Sequence, residues 1–288
     1  SDNTAIGAFS SRNITTGAAN VSVGYNSLQA NTTGASNVAV GFSSLSANTT
    51  ACFNTAIGAC SGKSITTGCH NTSLGAFSLF TSTTGDCNVA IGHDALFCNN
   101  GSTADNNTAV GHKAMCKNTT GTSNVAVGKD ALLANTTGNC NVAIGINALD
   151  LNTTGTDNVA IGRDAAGCQT TASNNVAIGA ATLFKNTGAN NTAVGYLASM
   201  CNTTGSNNVA IGCGALKTNT TAGSNTAVGR LSLFDSTTGS FNTGLGVETL
   251  TNNTTGATNV AVGHQALKNN TTGGDNVSIG IQAGDGVT

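Results

Sequence analysis

Ten cysteines and four histidines carry most of the reactive chemistry in this chain, and their spacing limits what they can do. His70, His93, His112 and His264 are scattered. Only His93 and His112, beside Asp94, are placed to face one another. Two imidazoles could share a transition metal, but a pair of solvated histidines on a variable surface column fits as well, and no metal is expected. None of the cysteines (Cys52, Cys60, Cys69, Cys87, Cys98, Cys116, Cys140, Cys168, Cys201, Cys213) shows the Cys-x-x-Cys spacing of zinc ligands. Nine Asn-Thr-Thr sequons, at Asn31, Asn48, Asn118, Asn135, Asn152, Asn202, Asn219, Asn253 and Asn270, are candidate N-glycan acceptors; alternatively, the phrase is simply good corner chemistry. No Ser-His-Asp grouping and no Gly-Gly-x-Gly-x-Asp ladder occurs, so neither hydrolytic catalysis nor a calcium-filled roll is expected, and no cofactor.

What positions these groups is a repeat. The pentad Asn141-Val142-Ala143-Ile144-Gly145 has seventeen counterparts in phase, itself included, from Asn3 to Asn276, and fourteen of the sixteen intervals are 17 residues. With the pentad Asn as position 1, every rung carries Asn at 1 and Gly at 5, with Val or Thr at 2 and Ile, Val or Leu at 4. Small residues stand at 3 and 8, Leu or a substitute at 9, and Asn-Thr-Thr-Gly at 12 to 15. Self-similarity over residues 1–288 argues for one array rather than separate domains. Two rungs are irregular. Residues 88–106 hold two extra residues around Asn99-Asn100-Gly101-Ser102, which reads as a bulged corner, and residues 175–190 lose one Thr at Asn186-Thr187-Gly188.

Apolar residues at 2 and 4 with a small residue between them have the period of a strand, and Leu132 at 9 reads as the start of a second short extended segment. Gly128 and Gly138 mark corners. The expected fold is all-β, a β-solenoid (parallel β-roll) of about seventeen 17-residue rungs. On that pattern Val142, Ile144 and Leu149 point into the core, while Ala143 and Ala148 face outward on a plain or interface-forming surface. The Asn column (Asn20, Asn37, Asn54, Asn124, Asn141, Asn158, Asn208, Asn225) can bond rung to rung through its amides. Cys52 and Cys69 then share a column on neighbouring rungs, within disulfide range; Cys98 and Cys116 fall one column apart, and Cys69 could instead meet Cys87. Disulfides favour an oxidising, extracellular setting; the alternative is small buried thiols matured inside a cell. Phe80, Phe97, Phe184 and Phe234 recur at position 10 and Tyr25 and Tyr196 at 6, either packing or forming a carbohydrate-binding stripe.

Composition narrows the partners. Charged residues are 8% of the chain and the net charge is -2, which excludes the basic stripe a nucleic acid requires, and no apolar run is long enough for membrane insertion. The pentad and its Gly corners resemble the head repeats of trimeric autotransporter adhesins (YadA-like heads), and similar phrases occur in phage and virus fibre proteins. The resemblance implies a homotrimer of parallel, left-handed coils serving as an extracellular, cell-surface or virion attachment fibre, binding a host receptor or glycan. It departs in its longer rung and in lacking a heptad stalk or anchor. Two alternatives remain: a subunit polymerising head to tail into a filament, since both ends lie within the repeat, and an ice-binding solenoid using its Thr or Asn rows.

Overall fold

The computed structural model describes residues 2–99 and 104–286 and is all-β: a parallel β-solenoid whose rungs repeat every 17 residues, with no helix among the described residues. Each rung contributes a single three-residue strand, the residues at 2, 3 and 4. Two compact units divide the chain at Asn141 and Val142. The first holds β1 (Thr4–Ile6), β2 (Val21–Val23), β3 (Val38–Val40), β4 (Thr55–Ile57), β5 (Thr72–Leu74), β6 (Val89–Ile91), β7 (Thr108–Val110) and β8 (Val125–Val127), each paired in parallel with the next. The second holds β9 (Val142–Ile144), β10 (Val159–Ile161), β11 (Val176–Ile178), β12 (Thr192–Val194), β13 (Val209–Ile211), β14 (Thr226–Val228), β15 (Thr243–Leu245), β16 (Val260–Val262) and β17 (Val277–Ile279), paired in the same way. Register is strict: Val142, Ala143 and Ile144 lie opposite Val159, Ala160 and Ile161.

The strand faces are inverted relative to the pattern-based expectation. Ala143 and Ala148 are fully buried, with Leu149, while Val142 is half-buried and Ile144 is 37% exposed. The reason is the width of the rung. A loop of 17 residues closing on itself leaves an interior that positions 3, 8 and 9 fill together with the buried asparagines of positions 1 and 12, and branched side chains at 2 and 4 do not fit there. Local substitutions show how tight the fill is. Beside the larger Ser232 and Thr249 at position 8, position 3 shrinks to Gly244, where a Cβ would lie 2.6 Å from Ser232 Oγ and 2.8 Å from Thr249 Oγ1. Where Gly62 replaces the Leu of position 9, Ile65 replaces the Asn of position 12 and fills the space, fully buried.

Nor does Leu132 open a second extended segment. It sits at φ +52°, with Asp130 at +56°, so positions 6 to 11 turn rather than extend. This backbone explains the residue types. A branched Cβ is poorly tolerated in the left-handed region, and no Val, Ile or Thr occurs at 7 or 9 in any of the seventeen rungs. The two glycines differ in cause. Gly128 has φ +134°, open only to glycine, whereas position 15 is limited by contact to Gly or Ala: a Cβ on Gly121 would lie 2.4 Å from both Asn118 Oδ1 and Gly138 O, so the neighbours must shift where Ala51, Ala104, Ala172 and Ala222 stand.

Both irregular rungs stay in register. The two extra residues are absorbed between Asn99, whose Nδ2 donates to Ala104 O (3.0 Å), and Asn107, whose N–H still reaches Asn88 Oδ1 (3.0 Å). The bulged corner itself, at 100–103, lies outside the described residues. The shortened corner closes with Asn186 Nδ2 on Gly188 O at 2.7 Å.

Candidate functional site

The most ordered polar feature is a pair of buried asparagine columns. At position 1, each Asn Oδ1 accepts the backbone N–H of the Asn on the next rung: Asn20 from Asn37 (3.0 Å), Asn124 from Asn141 (2.9 Å), Asn208 from Asn225 (3.0 Å). The same side chain donates through Nδ2 to the carbonyl of position 15, as Asn37 does to Ala51 O (2.8 Å) and Asn54 to Gly68 O (2.8 Å). Amide-to-amide bonds, such as Asn141 Nδ2 to Asn124 Oδ1 (3.2 Å), are the longer contacts, and Asn158 reaches Ala172 O at 2.9 Å. These columns hold the coil closed.

The sequon asparagines form the second column, and here the expectation of an exposed, glycan-bearing edge is corrected. Asn31, Asn48, Asn118, Asn135, Asn152, Asn202, Asn219, Asn253 and Asn270 are all fully buried. Their Nδ2 atoms, where a glycan would attach, close the corner on position 15: Asn31 on Gly34 O (2.9 Å), Asn219 on Ala222 O (3.0 Å), Asn270 on Gly273 O (3.0 Å). An N-glycan is incompatible with this packing. The adjacent Thr is committed too, Thr119 Oγ1 donating to Thr136 O (2.8 Å), so the phrase is corner chemistry throughout.

All ten cysteines are free thiols. Cys52 and Cys69 do sit on neighbouring rungs, yet they are not joined: the Cys52 N–H donates to Cys69 Sγ (3.1 Å), and Ala35 N–H to Cys52 Sγ (3.3 Å). Position 16 generally supplies such an acceptor to the rung before it. Asp86 Oδ1 serves Cys69 N–H (2.6 Å), Asn139 Oδ1 serves Thr122 N–H (2.7 Å) and Ser240 Oγ serves Gly223 N–H (3.1 Å). Sulfur stands in for oxygen. Cys98 N–H bonds to Cys116 O (2.9 Å), without a disulfide. Burial raises the Cys98 and Cys168 thiols, and burial, with Cys98 and Asp94 adding to it, pushes Cys116 up to about 11. High thiol pKa values make poor nucleophiles near neutrality.

His93 and His112 stack at 5.7 Å between ring centroids, and His93 Nδ1 lies 3.1 Å from Asp94, but no group of three or more His, Cys, Asp or Glu able to hold a metal occurs among the described residues. Aromatic rings follow the same geometry. Tyr25 lies nearly parallel to Phe42 (5.7 Å, 7°), Phe80 to Phe97 (5.0 Å, 12°) and Phe53 to His70 (5.0 Å, 8°). In these pairs rung-to-rung stacking covers ring faces that a sugar would need. Lys63 and Lys217 cap Phe80 and Phe234 at 5.4 and 5.1 Å. On the second unit, Glu248 accepts from Arg230 (2.6 Å), Gln265 (2.9 Å) and Lys268 (3.0 Å); those bonds, Gln265 first, hold its carboxyl down to about 2.

No pocket opens among the described residues. What the surface offers instead is a face. Almost every exposed large apolar residue stands at position 17, 2, 4, 6 or 7, on or beside the outward side of the strand: Ile57, Leu74, Tyr25, Phe42, Phe53 and Phe77 in the first unit, Ile144, Ile178, Ile211, Tyr196 and Phe241 in the second. Positions 2 and 4 carry no charge or amide in any rung. Comparison with models of known protein families and with curated proteins finds no match to this chain.

Proposed function

We propose that this chain is a structural, non-enzymatic segment of an extracellular or virion fibre, an adhesin or attachment shaft, whose rungs associate side by side with copies of themselves. The observation that carries the reading is the uncharged apolar face. With strands about 4.8 Å apart and two columns of side chains forming a band roughly 12 Å wide, nine rungs present about 450 Å² and eight about 400 Å². Each is near the largest patch usual on a monomer, about 300–600 Å², and about half of the roughly 800 Å² that one partner gives a standard interface. Fixed hydrogen-bonded columns within, and variable side chains at 6, 7, 10 and 17, suit a rigid display shaft, and the likeness to adhesin heads supports three parallel copies.

Native mass by light scattering, with negative-stain images of the same sample, tests this. A discrete rod of three chains supports the reading; a monomer over the whole accessible concentration range overturns it.

A further inference from the structure

Positions 2 and 4 share the outward strand face, yet the two columns are composed differently. Position 2 is always Val or Thr, with Thr in seven rungs: Thr4, Thr55, Thr72, Thr108, Thr192, Thr226 and Thr243. Position 4 is Ile, Val or Leu in all seventeen and never polar. For a face left in water the preference runs the wrong way. From β3 to β16 every position-2 residue is half-buried; at position 4 eight residues are half-buried as well, and the other six, Ile57, Leu74, Ile144, Ile178, Ile211 and Leu245, are 36–40% exposed. The more exposed column is the one without a hydroxyl.

We infer that the assembly proposed above, on which this inference rests, is organised around position 4: the axis relating one copy to the next runs parallel to the stack and beside this column, while position 2 lies at a wet margin. The position-2 threonine hydroxyls make no hydrogen bond within the chain among the described residues, so in a dry contact they would be stranded at a cost, and at a margin water satisfies them. A flat pair of strand faces would cover both columns alike and give no reason for Thr to be confined to one. An axis beside position 4 does give one, because it removes that column from water first.

Charge on the far flank fits a second copy of the same chain as the occupant. Cations at position 6 border position 4, and like copies around an axis would bring them together. Each of these cations has a counter-charge within the chain, on its own rung or the next: Lys129 contacts Asp130, Arg163 lies 3.8 Å from Asp164, and Arg230 lies 2.6 Å from Glu248 of the following rung. Lateral repulsion is therefore neutralised within the chain.

Matched substitutions on one rung test the inference. Ile211→Asp and Val209→Asp both lie on the outward face, so each keeps the buried columns intact, and circular dichroism checks the fold. In sedimentation equilibrium, Ile211→Asp is expected to weaken self-association about a hundredfold, and Val209→Asp by about tenfold or less, because only the former buries an unpaired charge in a dry centre. Equal losses, or a larger loss at Val209, overturn the placement while leaving self-association standing. A wild-type chain that is monomeric throughout overturns both. Should either variant misfold, a photoreactive phenylalanine analogue at 211 or at 209 replaces it: cross-linked oligomer from 211 well above that from 209 is the expected result, and the reverse sinks the proposal.

Discussion

Adjacent rungs of the second unit allow the asparagine column to be weighed by a matched pair of deletions, Asn208→Ala and Asn225→Ala. Both remove an Oδ1 that accepts a buried backbone N–H on the next rung, of Asn225 (3.0 Å) and of Asn242 (2.8 Å) respectively. They differ at the corner. Asn208 Nδ2 donates to Ala222 O at 2.9 Å, but Asn219 Nδ2 reaches the same carbonyl at 3.0 Å and remains after the change. Asn225 Nδ2 donates to Gly239 O at 2.9 Å, and position 12 of that rung is Ser236, whose hydroxyl makes no hydrogen bond. Asn208→Ala therefore strands one backbone group and Asn225→Ala strands two. At about 1–3 kcal/mol for each buried group left unpaired, Asn225→Ala costs about 2–6 kcal/mol and its neighbour about half of that. A repeat array need not unfold in one step, so hydrogen exchange resolved to each rung is the suitable assay. The amide of Asn242 should exchange about 5- to 150-fold faster in Asn225→Ala than the amide of Asn225 does in Asn208→Ala. Equal acceleration would refute the reasoning, since the corner bond would then contribute nothing.

Three further outcomes follow from the same geometry. Gly111→Ala, at φ +135° and with a Cβ that would lie 2.5 Å from Gly128 O, should cost at least about 1–3 kcal/mol in denaturant unfolding. Gly121→Ala on the same rung should cost clearly less, because Ala51, Ala104, Ala172 and Ala222 already occupy that corner elsewhere. The Glu248 carboxyl is depressed from 4.5 to about 2, so its contribution is complete above the unfolded value and is lost as pH falls through about 2; the stability gap between the protein and Glu248→Gln, followed by unfolding from pH 6 to pH 2, should close toward acid rather than toward alkali. Iodoacetamide at pH 8 should modify the exposed Cys87, Cys140 and Cys213 before Cys116, whose thiol is raised to about 11, as peptide mass spectrometry would read directly.

The repeat, its period and the one-strand ladder were legible because they depend on recurrence alone. Asn at 1 and Gly at 5 never vary, and the insertion and the deletion could be assigned to one corner by counting. Side-chain direction was not legible from hydropathy, for a physical reason. Alternation says only that positions 2 and 4 oppose position 3, and assigning the larger apolar set to the interior presumes an interior wide enough to receive it. The signals that resolve the phase lie elsewhere in the rung. Gly244 appears where Ser232 and Thr249 enlarge position 8, and the exchange of Leu and Asn for Gly62 and Ile65 links 9 with 12, so volume is traded among 3, 8, 9 and 12 and never with 2 or 4.

The same logic separates the two roles that asparagine can take in an Asn-Thr-Thr phrase. A sequon marks a local pattern, and a glycan acceptor also requires an Nδ2 that reaches solvent. The Asn of the phrase is replaced by Ser82, Gln169 and Ser236 in three rungs, and it gives way to isoleucine, Ile14 and Ile65, only where position 9 has shrunk to Ser11 and Gly62. A residue exchanged for isoleucine when its neighbour loses volume is responding to the inside of the molecule. That covariation among copies within a single chain points to burial, and the full burial of Asn31, Asn135 and Asn219 is its structural counterpart.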